Sequence, residues 1–174
     1  MTAAKHGRIR IIGGKWRSRR LVFPDQDGLR PTPDRVRETL FNWLQADVPG
    51  GRCLDLFAGS GALGFEAASR GAAKVIMVEQ NRHAASAIAD NSRLLDAANI
   101  ELVRADAVEW LQHNTREFDI VFLDPPYDAA VLGKCCALLE NGQSLAENAK
   151  IYLEHARDDD GLELPQNWTC LKQR

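Results

Sequence analysis

The pattern of apolar and polar positions divides the chain into two unlike parts. From residue 53 onward, short and nearly continuous apolar runs recur at 53–57, 75–79, 101–104, 119–124 and 151–154. Runs such as Val75-Ile76-Met77-Val78 and Ile120-Val121-Phe122-Leu123 leave no polar face, which predicts strands covered on both sides. The intervening segments 63–69, 82–97, 107–113 and 131–140 have helical spacing, and Arg70-Gly71 ends the first. Strands alternating with helices predict an α/β fold with a doubly wound, mostly parallel sheet. Before residue 53 the pattern changes. Arg8-Ile9-Arg10-Ile11-Ile12 and Arg20-Leu21-Val22-Phe23 are strand-like runs flanking Gly13-Gly14-Lys15, which predicts a small hairpin. Arg30-Pro31-Thr32-Pro33-Asp34 then opens a helix, with Thr32 as cap, Pro33 in the first turn and Val36, Leu40, Phe41 and Leu44 as its apolar stripe. Pro49-Gly50-Gly51 stops that helix. The division is therefore an amino-terminal hairpin and helix over 1–48, packed on a core over 49–174.

Composition bounds this picture without changing it. With 174 residues, 45% apolar and 26% charged, the chain fits one compact domain. No apolar run approaches the roughly 18 residues that cross a bilayer, and the start MTAAKHGRIRIIGGKW lacks the apolar stretch of a secretion signal, so a cytoplasmic protein with no membrane partner is expected. Cys53, Cys135, Cys136 and Cys170 form no C-x-x-C pair, which predicts reduced, mostly packing thiols. His6, His83, His113 and His155 lack metal-ligand spacing, and no metal is expected.

Charge adds more. The formal net charge of -2 averages two opposed pieces, because residues 1–37 hold ten Lys/Arg against three Asp. That surplus of seven leaves 12 basic and 21 acidic groups in the remainder. A basic edge on an acidic body is the footprint of polyanion binding, the alternative being a solvated tail.

In open α/β sheets the ligand lies beyond the carboxyl ends of the strands. The residues closing successive strands here are acidic: Asp55, Glu79, Asp106 and Asp124. Between the first strand and its helix, residues 59–64 match G-x-G-x-x-G, a pattern compatible with tight packing or with cofactor binding. A dinucleotide would bring a pyrophosphate to that helix, where Asp55 and Asp124 would repel it. S-adenosylmethionine carries a sulfonium and an ammonium and no phosphate, so the acidic crevice favours it over NAD. The loop Ala58-Gly59-Ser60-Gly61 would approach its amino-acid part, Glu79 its ribose hydroxyls, and Asp106 with Ala107 its adenine. The stretch Asp124-Pro125-Pro126-Tyr127 follows directly on the fourth strand. It is either a rigid strand exit or a device for methylating an exocyclic base amine, whose lone pair is delocalised into the ring. Asp124 and a neighbouring carbonyl such as that of Pro125 would accept the two N–H bonds and stabilise the developing cation, while Tyr127 stacks on the base.

Asp55–Gly61 together with DPPY at 124–127 resembles the class I adenosylmethionine-dependent amino-methyltransferases, which have a Rossmann-like sheet. Within them, Arg10-Ile11-Ile12-Gly13-Gly14-Lys15-Trp16 and Arg30-Pro31-Thr32-Pro33-Asp34-Arg35-Val36-Arg37-Glu38-Thr39-Leu40-Phe41-Asn42 resemble the RsmD family. The resemblance implies a bacterial 16S ribosomal RNA guanine-N2 methyltransferase, using adenosylmethionine and releasing adenosylhomocysteine. It also implies a monomer acting on the small ribosomal subunit or an assembly intermediate. By it, the basic ribbon of Arg8, Arg10, Lys15, Arg17, Arg19 and Arg20 would grip RNA, and the segment 30–42 would close the cofactor pocket. The helix start at Thr32, with Arg30, would receive the methionine carboxylate. Trp16 has two readings, stacking on RNA or covering the core, and Arg35 and Arg37 are either solvated or engaged. The family sheet ends in an antiparallel pair, whereas this chain stops at Thr169-Cys170-Leu171-Lys172-Gln173-Arg174, soon after the penultimate strand would begin, so the last strand is expected to be missing. A DNA adenine-N6 methyltransferase would share the DPPY chemistry, but 174 residues leave little room for a target-recognition domain. A non-catalytic RNA-binding protein on the same fold is the remaining alternative.

Overall fold

Most apolar positions of the basic segment turn to one side, Val22 being the exposed exception. β1 (His6–Arg10) and β2 (Arg20–Pro24) pair antiparallel, with Ile9 opposite Leu21 and Arg10 opposite Arg20. Because side chains alternate across a strand, Ile9, Leu21 and Phe23 are buried while Arg8, Arg10 and Arg20 are exposed. Ile11 and Trp16, beyond β1, join the same core. The computed structural model describes residues 6–24, 31–126, 129–155 and 162–173.

Helix α1 (Asp34–Trp43) buries Leu40 and Phe41. Its N-cap position falls on Pro33, without a side-chain cap bond, which corrects the expected capping by Thr32. The Thr32 hydroxyl is drawn instead to a carboxylate 92 residues away, described below.

The main sheet follows: β3 (Arg52–Asp55), α2 (Ala62–Ser69), β4 (Lys74–Val78), α3 (Arg82–Leu94), β5 (Ile100–Val103), α4 (Ala107–His113), β6 (Phe118–Leu123), α5 (Ala129–Asn141) and β7 (Leu145–Leu153). Its strand order is β5-β4-β3-β6-β7, and each neighbouring pair is parallel. Alternation sorts the strand residues into two cores. Cys53, Val75, Met77, Ile120 and Phe122 meet Phe41, Phe65, Ile88 and the ribbon on one face. Leu54, Ile76, Val78, Val121 and Leu123 meet Leu111, Leu132 and Leu139 on the other. Cys53, Cys135 and Cys136 are buried in these layers, and burial raises the Cys53 and Cys135 thiols to about 12, as expected of packing thiols.

Two expectations are revised at the sheet edge. β7 begins earlier than the apolar run at 151–154, because its register jumps between Phe118↔Leu145 and Ile120↔Lys150. The extra residues bulge outward through Asn148 at φ 60, so polar positions that break the alternation still belong to the strand. Residues 162–173 form no strand, so no penultimate strand begins there, and β7 is the outer strand among the described residues. No helix of the described residues is long and apolar enough to cross a membrane.

Candidate active site

The loop leaving β3 is shaped by its glycines. Leu56 N–H donates to the Phe122 carbonyl and Ala58 N–H to the Val78 carbonyl, which suspends the loop across three strands. Gly59 and Gly61 take φ values of 52° and 81°, and a Cβ on Gly61 would lie 2.6 Å from the Phe65 ring. A Cβ on Gly64 would come within 2.9 Å of three Met77 atoms, so this third glycine lets α2 sit against β4. Ala58 and Ser60, within the loop, are buried.

Carboxylates gather where the strands end. Asp55, 2% exposed, accepts from the Gly64 N–H at 2.9 Å. Burial pushes its carboxyl up to about 7, opposed by the Gly64 bond and reinforced by the charges of Asp124 and Glu79. Glu79 accepts from Gly59 N–H and from Asn81 N–H, each at 2.7 Å. The loop N–H that a dinucleotide phosphate would need is therefore already directed at a carboxylate. Asp106 is exposed and caps α4 through one oxygen, at 3.0 Å from Glu109 N, beside buried Ala107. Asp124 accepts from the Thr32 hydroxyl at 3.1 Å, and its carboxyl is raised to about 6 by burial and by Glu154, against the lowering effect of Thr32. Pro125 is buried and Pro126 exposed.

Sequence reasoning overlooked Glu154, which follows β7 as Asp124 follows β6. Its backbone N–H donates to the Leu123 carbonyl, and its side chain accepts from the Tyr152 hydroxyl at 2.9 Å. The same strand-end pattern that marked the other four carboxylates would have found it. Tyr127 and Arg30 lie outside the described residues.

The ribbon is bolted to this site by buried charge. Glu66 is fully buried on α2 and accepts from Ile12 N–H and Gly13 N–H at 2.8 Å, from Arg70 Nε at 2.7 Å and from Arg37 at 3.4 Å. Arg37, 1% exposed, also donates to the Arg10 carbonyl at 3.0 Å, to the Thr32 carbonyl at 3.1 Å and to Asp34. Of the two readings left open for Arg37, engagement therefore holds. Gly14, at φ 76°, passes so close to α2 that a Cβ would overlap the Ser69 carbonyl. Trp16 is 7% exposed and its backbone N–H donates to Ser69 Oγ at 2.9 Å; of its two readings, covering the core therefore replaces stacking on RNA. Arg8, Arg10, Lys15, Arg17, Arg19 and Arg20 are all exposed, and only Arg10 makes an ion pair among the described residues, with Asp34.

A parallel sheet carrying a glycine loop, a row of strand-end carboxylates and a rigid Asp-Pro-Pro exit defines a Rossmann-like class I methyltransferase. Residues 9–174 match the family described as "Conserved hypothetical protein 95". Over 168 residues the chain is 44% identical to "Ribosomal RNA small subunit methyltransferase D" of Escherichia coli (strain K12), covering 97% of this chain and 85% of the relative. The protein of the same name from Haemophilus influenzae is 42% identical over 172 residues, covering 97% and 89%. A solved structure from Escherichia coli superposes with a TM-score of 0.89 at 43% identity, over 97% of this chain and 92% of that one. The chain belongs to the RsmD family of methyltransferases.

Proposed function

We propose that this protein methylates the exocyclic N2 amine of a guanine in 16S ribosomal RNA, within the small subunit or an assembly intermediate, using adenosylmethionine. The observation that carries this reading is the Asp124 carboxylate, held rigidly at the end of β6 within electrostatic reach of Asp55. The relatives' names support ribosomal RNA of the small subunit as the substrate.

The residues of the crevice fit a cationic, phosphate-free donor. Glu79 would accept from its ribose hydroxyls, the free oxygen of Asp106, beside Ala107, would meet the adenine amine, and Ala58, Gly59, Ser60 and Gly61 would line its amino-acid part. Asp55 offers negative charge to the ammonium, and Arg30 with the start of α1 offers positive charge to the carboxylate. When bound, adenosylmethionine supplies the electrophilic methyl group and leaves as adenosylhomocysteine. Ionised Asp124 and the Pro125 carbonyl would accept the two N–H bonds of the target amine, aim its lone pair and stabilise the positive charge that develops. Tyr127 would stack on the flipped base.

Tritiated methyl transfer tests this directly. Label is expected in undermethylated small subunits, recovered as N2-methylguanosine, and not in unmethylated duplex DNA. Label in DNA adenine, or adenosylmethionine binding by calorimetry with no transfer to any RNA, overturns it.

The ribbon has its own signature. Neighbouring cations without acidic partners are held most favourably by phosphates, so the ribbon supplies affinity without sequence reading. In an Arg17/Arg19/Arg20→Ala variant, the slope of log affinity for RNA against log salt is expected to fall by about 0.7 to 0.9 for each phosphate no longer neutralised. Adenosylmethionine affinity should stay unchanged. Equal slopes for variant and wild type would mean that these arginines are merely solvated.

A further inference from the structure

We propose that Thr32 is the positioning residue for the Asp124 carboxylate, and that Arg37 holds Thr32 in place from the ribbon side. This rests on the reading that Asp124 orients the target amine. An aspartate carboxylate turns easily about its last bond, since that torsion is broad and roughly two-fold. Asp124 is not free to turn, because the Thr32 hydroxyl donates to Oδ2 at 3.1 Å. Oδ1 is thereby left for the amine. Thr32 suits this role because it is 6% exposed, its β-branch restricts χ1, and the start of α1 makes no use of its hydroxyl.

Thr32 is itself anchored. Arg37 Nε donates to the Thr32 carbonyl at 3.1 Å, and the same guanidinium donates to the Arg10 carbonyl at 3.0 Å at the end of β1. One buried side chain thus spans the ribbon and the residue that aims the carboxylate, with Glu66 and Asp34 neutralising it. A chain of two residues, Arg37 and Thr32, leads from the basic ribbon to Asp124. Burial and Glu154, which follows β7, act against ionisation of Asp124, whose charge in turn raises Asp55 at the end of β3 and the Tyr152 hydroxyl on β7. The Thr32 bond opposes burial and Glu154 by favouring the ionised form, which alone accepts from the amine through either oxygen.

The test is turnover against pH for wild type, Thr32→Val, Thr32→Ser and Asp124→Asn, with RNA and adenosylmethionine binding measured in parallel. Thr32→Val keeps the shape and loses the donor. Its kcat is expected to fall at least fivefold at neutral pH, with KM for RNA and adenosylmethionine affinity within twofold of wild type. Its acidic limb should move to higher pH, because losing a bond to the charged form raises the carboxyl. Thr32→Ser should return most of the turnover and the wild-type limb. A valine variant with wild-type kcat and pH profile, beside an inactive Asp124→Asn, overturns the positioning role and leaves the reading of Asp124 standing. An Asp124→Asn variant with near-normal turnover overturns that reading and the proposal with it. If the valine variant does not fold, the serine variant decides: folded, but below a tenth of wild-type turnover, it shows that the hydroxyl does not position the carboxylate.

Discussion

Asp124→Asn is expected to lower methyl transfer by about 10²- to 10³-fold, the range found when one preorganised group facing developing charge is removed. Asparagine keeps the shape and one acceptor but brings a donor where the amine N–H must enter, and it carries no negative charge against the forming cation. The carboxylate is needed more in the transition state than in the ground state, so kcat should fall more than KM rises. The pH dependence has a fixed sign. Burial and Glu154 raise the Asp124 carboxyl to about 6, and only the ionised form serves, so kcat/KM should decline as pH drops through that value. Turnover that stays flat down to pH 5, or an Asp124→Asn variant near wild type, would remove Asp124 from the chemistry.

The second large effect is on stability. Glu66→Leu is expected to destabilise the fold by about 3–5 kcal/mol, because it removes one of the two carboxylates that neutralise the buried Arg37 guanidinium and the carboxylate that pairs with Arg70. It also leaves the Ile12 and Gly13 N–H groups without their acceptor. In a chain of this length the melting temperature should fall by on the order of 10 °C. The pair can be separated from its parts by a double-mutant cycle. Arg37→Met combined with Glu66→Leu should be more stable than Glu66→Leu alone, since the buried guanidinium left with one carboxylate fewer is then gone. Strict additivity of the Arg37→Met and Glu66→Leu effects in the double variant, followed by urea unfolding, would mean that the Arg37–Glu66 contact carries no coupling.

The two effects are connected through the ribbon. Glu66 fastens its Ile12-Gly13 turn to α2, while Arg37 fastens Arg10 to α1, so loosening either end of this pair also loosens the element that presents the exposed arginines. The Glu66→Leu variant should therefore weaken RNA binding even though Glu66 is fully buried and touches no solvent.

What the sequence determined by itself is whatever depends on neighbours along the chain. The parallel sheet was legible because the strands β4 and β6 lack any polar face, and that pattern arises only under cover on both sides. Asp55, Glu79, Asp106 and Asp124 were legible because each closes a strand or follows one closely. The outward arginines of the ribbon could be read from their alternation with Ile9 and Leu21. Other features were decided only by the tertiary structure. Arg37, three residues after Asp34 on a helix, has the pattern of a solvated charge; it is buried because Glu66, 29 residues away, stands where the helix packs. Trp16 lies among cations and still turns inward, because Gly13-Gly14 brings its backbone against Ser69. Thr32 has the pattern of a cap and serves Asp124 instead, across 92 residues. A hydrogen bond or a buried ion pair is specified by the group it meets, and for these residues that group is supplied by the packing of distant elements.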